Sequence, residues 1–145
     1  MLDTNYKRIL TAFDGSKNGV KALKKAINVA KRNEAKILVA YVINLSSAQF
    51  TESRPQKVHE EAEAHGKKMR ELIESIMSEA AFRDFDILIE KGNPKTKITY
   101  DYIDEYDVDL VICGHTGMDS YDQMDMGSTS ENIVRYSSVD VMVVK

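Results

Sequence analysis

Apolar and polar positions divide this chain into five short strand-like runs separated by stretches of helical period. Lys7 to Phe13 (KRILTAF) is apolar at its centre and stops at Asp14-Gly15, as a buried strand running into a sharp turn does. Val20, Leu23, Ile27 and Ala30 then recur at spacings of three and four, which predicts a helix with lysines on its other faces and Asp14 or Ser16 as its cap. Lys36 to Ile43 (KILVAYVI) is apolar almost throughout, the mark of a strand covered on both faces of a parallel sheet. Asn44 to Lys57 is polar, contains Pro55 and keeps no period, so it reads as a long surface loop of the kind that tends to be functional or mobile. A charged helix follows from Val58 to Glu79, with Ala62, Met69, Leu72, Ile73, Ile76 and Met77 as its apolar line.

Phe85 to Glu90 (FDILIE) is the third strand. Pro94 suits the first turn of a helix, where its missing N–H costs nothing, and that helix runs through Ile98, Tyr102 and Ile103 toward Tyr106. Asp109 to Gly114 (DLVICG) is the fourth strand, Ser130 to Ser137 a short helix and Val139 to Val144 (VDVMVV) the last strand. The alternation predicts an α/β fold in three layers, with a five-stranded, mostly parallel sheet between helices, because parallel crossovers are right-handed and cover both faces. Ligands of such sheets bind beyond the carboxyl ends of the strands, where the strand order reverses. That rim collects Asp14, Val42 to Asn44, Gly92 and the segment from Gly114 onward.

Composition narrows the picture. With 145 residues, 43% of them hydrophobic and 30% charged, the chain suits a single domain over residues 1–145 built on one continuous core. A formal net charge of -3 supplies no basic field for nucleic acid. No apolar run reaches the roughly 18 to 20 residues that cross a bilayer, so no membrane partner is expected. The opening MLDTNYKRIL lacks the apolar centre of a signal peptide, and the expected location is cytoplasmic. Cys113 stands alone, which excludes an internal disulfide and a multi-cysteine metal site, and its setting is that of a small buried hydrophobe. His59 and His65 do not share a helix face and read as solvated side chains.

The candidate chemistry lies between Gly114 and Asn132 (GHTGMDSYDQMDMGSTSEN). Gly114 follows a strand, and Gly127-Ser128-Thr129-Ser130 precedes a helix, so amide N–H groups and hydroxyls can converge on a negative group at the positive end of that helix. Glycine serves such a loop by allowing close approach or positive φ. The spacing is neither that of a Walker A loop nor that of the dinucleotide fingerprint, both of which use tighter glycine clusters.

This glycine spacing, on the fourth strand and ahead of the last helix, resembles the ATP-binding branch of the universal stress protein family. The resemblance extends to the first strand ending in Asp14-Gly15-Ser16, the second ending in Tyr41-Val42-Ile43, the Gly92-Asn93-Pro94 turn and the apolar C-terminal strand. It implies an adenine nucleotide α hydrolase-like sheet of strand order 3-2-1-4-5. It also implies that Ala12, Phe13, Asp14 and Val42 hold adenine and ribose, with Asp14 accepting from ribose hydroxyls. Gly114, His115, Thr116 and Gly117 would form the loop entering the phosphates, and Gly127, Ser128, Thr129 and Ser130 the segment that closes on them. The implied cofactor is ATP with Mg²⁺. The implied assembly is a homodimer through the last strand, along Val139, Val141, Val143 and Val144.

The function so implied is that of a nucleotide-dependent stress-response regulator or sensor. A slow ATPase or other nucleotide-dependent enzyme, and a dimeric scaffold that binds no nucleotide, are the alternatives. No catalytic residue is assigned: the sequence offers no candidate base or arginine finger, so any hydrolysis should be slow. His115 reads as a loop residue, because no nucleophile with an orienting partner accompanies it.

Between Gly117 and Gly127 the family commonly carries basic and apolar residues, whereas this chain reads MDSYDQMDM. Asp119, Asp122 and Asp125 would repel one another in a helical turn, by roughly 1 kcal/mol at ~4 Å in water and several times more near a protein surface. Three readings stay open. The carboxylates face solvent while Met118, Tyr121, Met124 and Met126 pack inward or on a partner, they help hold a divalent cation carried by the nucleotide, or they disfavour ATP. Asp140 stands where the family often has proline and reads as a strand-entry residue; Lys95 and Lys97 read as solvated lysines or as positive charge on the rim.

Overall fold

β1 (Arg8–Ala12) is the central strand of a five-stranded sheet in the computed structural model, which describes residues 5–47, 50, 54–116 and 126–145. β2 (Lys36–Ile43), β3 (Phe85–Lys91), β4 (Leu110–Gly114) and β5 (Asp140–Val144) complete the order β3-β2-β1-β4-β5. Every pairing is parallel, with Arg8 opposite Lys36, Ile9 opposite Leu110, Ile37 opposite Phe85 and Leu110 opposite Asp140. The sheet is thus all-parallel where the sequence predicts a mostly parallel one.

Alternation along β1 sends its side chains to two cores. Ile9 joins Leu23, Ile27, Ile73 and Met77 from α1 (Lys17–Asn33) and α2 (Pro55–Glu79) on one face. Leu10 joins Ile98, Tyr102, Ile103 and Ile133 on the other, which makes the three layers. β2 is buried at seven successive positions because helices cover it on both sides. No helix of the described residues is long and apolar enough to cross a membrane.

Ser16, rather than Asp14, is the N-cap of α1: its Oγ accepts from the Gly19 N–H at 3.0 Å. Asp14 supports the cap by accepting the Ser16 N–H at 2.9 Å. Gly15 between them has φ of +80°, a left-handed conformation that favours glycine. α2 begins at Pro55 instead of Val58, since proline at the first helical position gives up only an N–H that has no intrahelical partner. The preceding loop therefore ends at Arg54, and buried Phe50 ties it to Tyr41, Ile43 and Ala62.

The third crossover departs further from expectation. It is α3 (Pro94–Thr96), a π-helical turn (Lys97–Asp101) and α4 (Tyr102–Glu105), where the sequence predicts one continuous helix. The wider turn brings Ile98 and Thr99 successively into buried positions. α5 (Ser128–Tyr136) starts earlier than the predicted Ser130. Asp140 does open β5, and its Oδ2 accepts from the Tyr6 hydroxyl at 2.8 Å.

Candidate functional site

The strand order reverses between β1 and β4, and a cavity of about 460 Å³ opens beyond their carboxyl ends. That volume falls within the range of roughly 300 to 1,000 Å³ typical of small-molecule sites. β1 contributes Ala12, Phe13 and Asp14, and β2 contributes Tyr41, Val42 and Ile43. Across from them stand Asn93, Pro94, Lys95 and Ile98. Cys113, Gly114 and Thr116 form the floor after β4, and Gly127, Ser128, Thr129 and Ser130 close the remaining side.

Ten of the twelve residues singled out from the sequence therefore meet at one cavity: Ala12, Phe13, Asp14 and Val42 on one side, Gly114 and Thr116 below, and Gly127 through Ser130 opposite. His115 is not among the lining residues. Its contribution is through the main chain, where its N–H donates to Val144 at 2.9 Å and its carbonyl accepts from Gly127 at 2.8 Å. These two bonds fix where the chain leaves β4 and where it returns to α5. Gly117, Asp119, Asp122 and Asp125 lie outside the described residues, as do Met118, Tyr121 and Met124.

Gly114 is required by packing. A Cβ there would stand 2.9 Å from the Asn18 carbonyl oxygen, so the first turn of α1 can lie against β4 only over a glycine. The Asn18 side-chain amide then donates to Thr116 Oγ1 and joins α1 to the loop. Ser130 Oγ donates to the Gly114 carbonyl. Burial pushes the Cys113 thiol up to about 11, against a smaller opposing effect of the Ser130 side chain, so the thiol is protonated at neutral pH and lines the floor as an apolar group.

Charge is sparse. Among the described lining residues Asp14 is the only carboxylate and Lys95 the only cation. Gly19 leaves room for that carboxylate, because a Cβ at this position would meet Asp14 Oδ1 at 2.7 Å. Lys97 is engaged elsewhere, with its Nζ 2.9 Å from Glu90 and 5.9 Å from the Tyr102 ring centre. The hydrogen bond that its ammonium donates to Glu90 raises its pKa. The N-terminus of α5 supplies further positive potential: Gly127 caps it without a side chain, and first-turn N–H groups have no intrahelical acceptor. Among the described residues no group of three or more His, Cys, Asp or Glu is placed to hold a metal ion.

Sequence reasoning missed Gly19, Ser47 and Ile98 as lining residues. Gly19 carried a signal, a glycine inside a helical pattern that such a pattern disfavours. Ser47 and Ile98 carried none, since each reaches the cavity through the path of its own irregular segment. Ser47 Oγ is buried without a hydrogen-bond partner among the described residues.

The sequence model described as "Universal stress protein family" matches residues 5–145. A relative from Staphylococcus saprophyticus that carries the universal stress protein name is 34% identical over 140 residues, covering 97% of this chain and 84% of its own. Among solved structures, universal stress protein UspA from Lactobacillus plantarum superposes with a TM-score of 0.85 at 25% identity, over 99% of this chain and 100% of that one. A universal stress protein in complex with cAMP aligns with a TM-score of 0.68 at 21% identity, over 98% of both chains. One from Archaeoglobus fulgidus in complex with dAMP aligns with a TM-score of 0.67 at 18% identity, over 97% of this chain and 98% of that one.

Proposed function

This chain belongs to the universal stress protein family, and from that premise we propose that its cavity binds an adenine nucleotide, ATP with Mg²⁺ in the first instance, and that occupancy of the cavity regulates a stress response. The observation that carries the reading is the opposition of apolar strand ends and a helix N-terminus with no side-chain cap across one cavity. Ala12, Phe13 and Val42 offer apolar contacts for a base, and Asp14 an acceptor for ribose hydroxyls. The first-turn amides of α5 offer donors for phosphate oxygens. Two proteins of the same fold are described in complex with cAMP and dAMP, which supports an adenine nucleotide as the ligand class.

Mg²⁺ on this reading arrives with the phosphates, and Asp14, engaged with the ribose hydroxyls, is not assigned to it. Any hydrolysis on this reading is slow, because the sequence offers no candidate base or arginine finger. β5, an outermost strand, is where we infer that a second copy of the chain pairs.

The test is a titration with ATP, AMP and cAMP, each with and without Mg²⁺, on wild type and Thr129→Asp. A carboxylate in the first turn of α5 favours the helix by about 0.3 to 1 kcal/mol, yet repels a phosphate seated there. The expected result is an unchanged or raised melting temperature with nucleotide affinity reduced at least about tenfold. A wild type that takes up none of the three nucleotides would end the proposal. Equal affinity in the variant would remove the phosphates from α5.

A further inference from the structure

Asn132 does not line the cavity, yet it joins two of the walls that do. Its Nδ2 donates to the Lys95 carbonyl at 3.2 Å and to Thr99 Oγ1 at 2.9 Å. The Lys95 carbonyl can only accept, so the amide nitrogen must face it, and the orientation of the side chain is settled by chemistry. Asn132 lies four residues after Ser128 on α5, on the same helix face, one turn below the end that closes the cavity.

The wall it grips is anchored on the sheet side by Ile98, buried in the core, and by the Lys97–Glu90 ion pair, whereas toward α5 it is tied by Asn132. α3 has three residues and the π turn five, and both run on into α4, so this segment changes its helical winding where it faces the cavity. Asn93 caps the turn locally by accepting the Lys95 N–H at 3.0 Å. The two bonds from Asn132 tie that turn to α5. Thr99, 1% exposed, has its hydroxyl satisfied by the same amide, so loss of Asn132 cuts the tie of the wall to α5 and leaves a buried polar atom unpaired. Lys95 and Ile98, which line the cavity, sit on the segment so held.

We propose that Asn132 is a positioning residue that sets the distance between the Asn93–Ile98 wall and the N-terminus of α5, and thereby the affinity for the phosphate-bearing part of the ligand. This rests on the adenine-nucleotide reading. Binding groups must be held within about 0.5 Å of their working geometry, so a wall released from α5 weakens contacts that Asn132 itself never makes.

Asn132→Ala and Thr99→Val, singly and together, are titrated with MgATP and, by competition at millimolar concentration, with adenosine; amide hydrogen exchange is followed on the unliganded proteins. N132A removes both bonds and is expected to weaken ATP about tenfold, T99V about threefold, and the double variant no more than N132A. Adenosine should change less than about twofold, and exchange should quicken at residues 95–99. T99V keeps its predecessor's shape and carries the test if N132A melts below the assay temperature. ATP affinity within about twofold of wild type in both single variants, an equal loss for ATP and adenosine, or unchanged exchange would each overturn the positioning role. Wild type without affinity for ATP would overturn the nucleotide reading instead, while the exchange measurement still reports whether Asn132 holds the wall.

Discussion

Gly114 is a glycine for the sake of α1. A methyl group placed there meets the Asn18 carbonyl at 2.9 Å, and backbone cannot yield as a flexible side chain can. Gly114→Ala should therefore destabilise the unliganded protein by about 1 to 3 kcal/mol, read from denaturant titration; a change within experimental error would mean that α1 can shift without loss. The neighbouring Cys113 gives a pH prediction. Its thiol rises from an ordinary 9.0 to about 11 on folding, through burial first. Between those values the unfolded chain has lost the proton and the folded one retains it, so the contribution is complete below about pH 9 and disappears as pH rises through 11. Cys113→Ala should fall less steeply in stability over this window than wild type. Parallel curves would show that the thiol is not buried as the structure has it.

At the scale of elements, the cap of α1 is both a structural stop and a site support, because the same turn places Asp14 in the cavity. Ser16→Ala should lower stability by about 1 kcal/mol through loss of the cap, and an undiminished melting temperature would contradict that role. Elements defined by burial were legible in the sequence: β2 runs from Lys36 to Ile43 as its unbroken apolar run predicts. Elements whose ends are polar were less so: Ser128 carries no hydrophobic period, and Pro55, a first-turn signal like Pro94, stands apart from the apolar line of α2 that begins at Ala62. The π turn was illegible for a related reason. Ile98, Tyr102 and Ile103 fit a regular helical stripe equally well, and the insertion shows only in which face Thr99 occupies. The strand-end residues of the candidate site followed from the order of elements, whereas Ser47 and Asn132 owe their roles to contacts between segments far apart in the chain.

For the whole molecule, the two edges of the sheet differ. β3 (FDILIEK) interrupts its apolar positions with Asp86, Glu90 and Lys91, all exposed, and Asp86 is paired with Lys36 at 2.8 Å, a charged edge of the kind that discourages further strand addition. β5 (DVMVV) has no charge after Asp140, and Val134 and Tyr136 of α5 remain 46% and 56% exposed. An apolar edge left open would invite aggregation, and the pairing with a second copy that we propose would cover it. The geometry also says which residue to change. Val144 accepts from the His115 N–H, so the main-chain groups of Val144 and Met142 turn toward β4 and those of Val143 turn toward the open edge. Val143→Pro therefore removes an N–H that only a partner strand would use, whereas Met142→Pro removes one from the internal ladder. In sedimentation at tens of micromolar, wild type should run as a dimer and Val143→Pro as a folded monomer, with Met142→Pro the less stable of the two variants. A monomeric wild type, or a Val143→Pro variant that still dimerises, would move the contact away from β5 and leave the apolar edge to be covered by something other than a second copy of this chain.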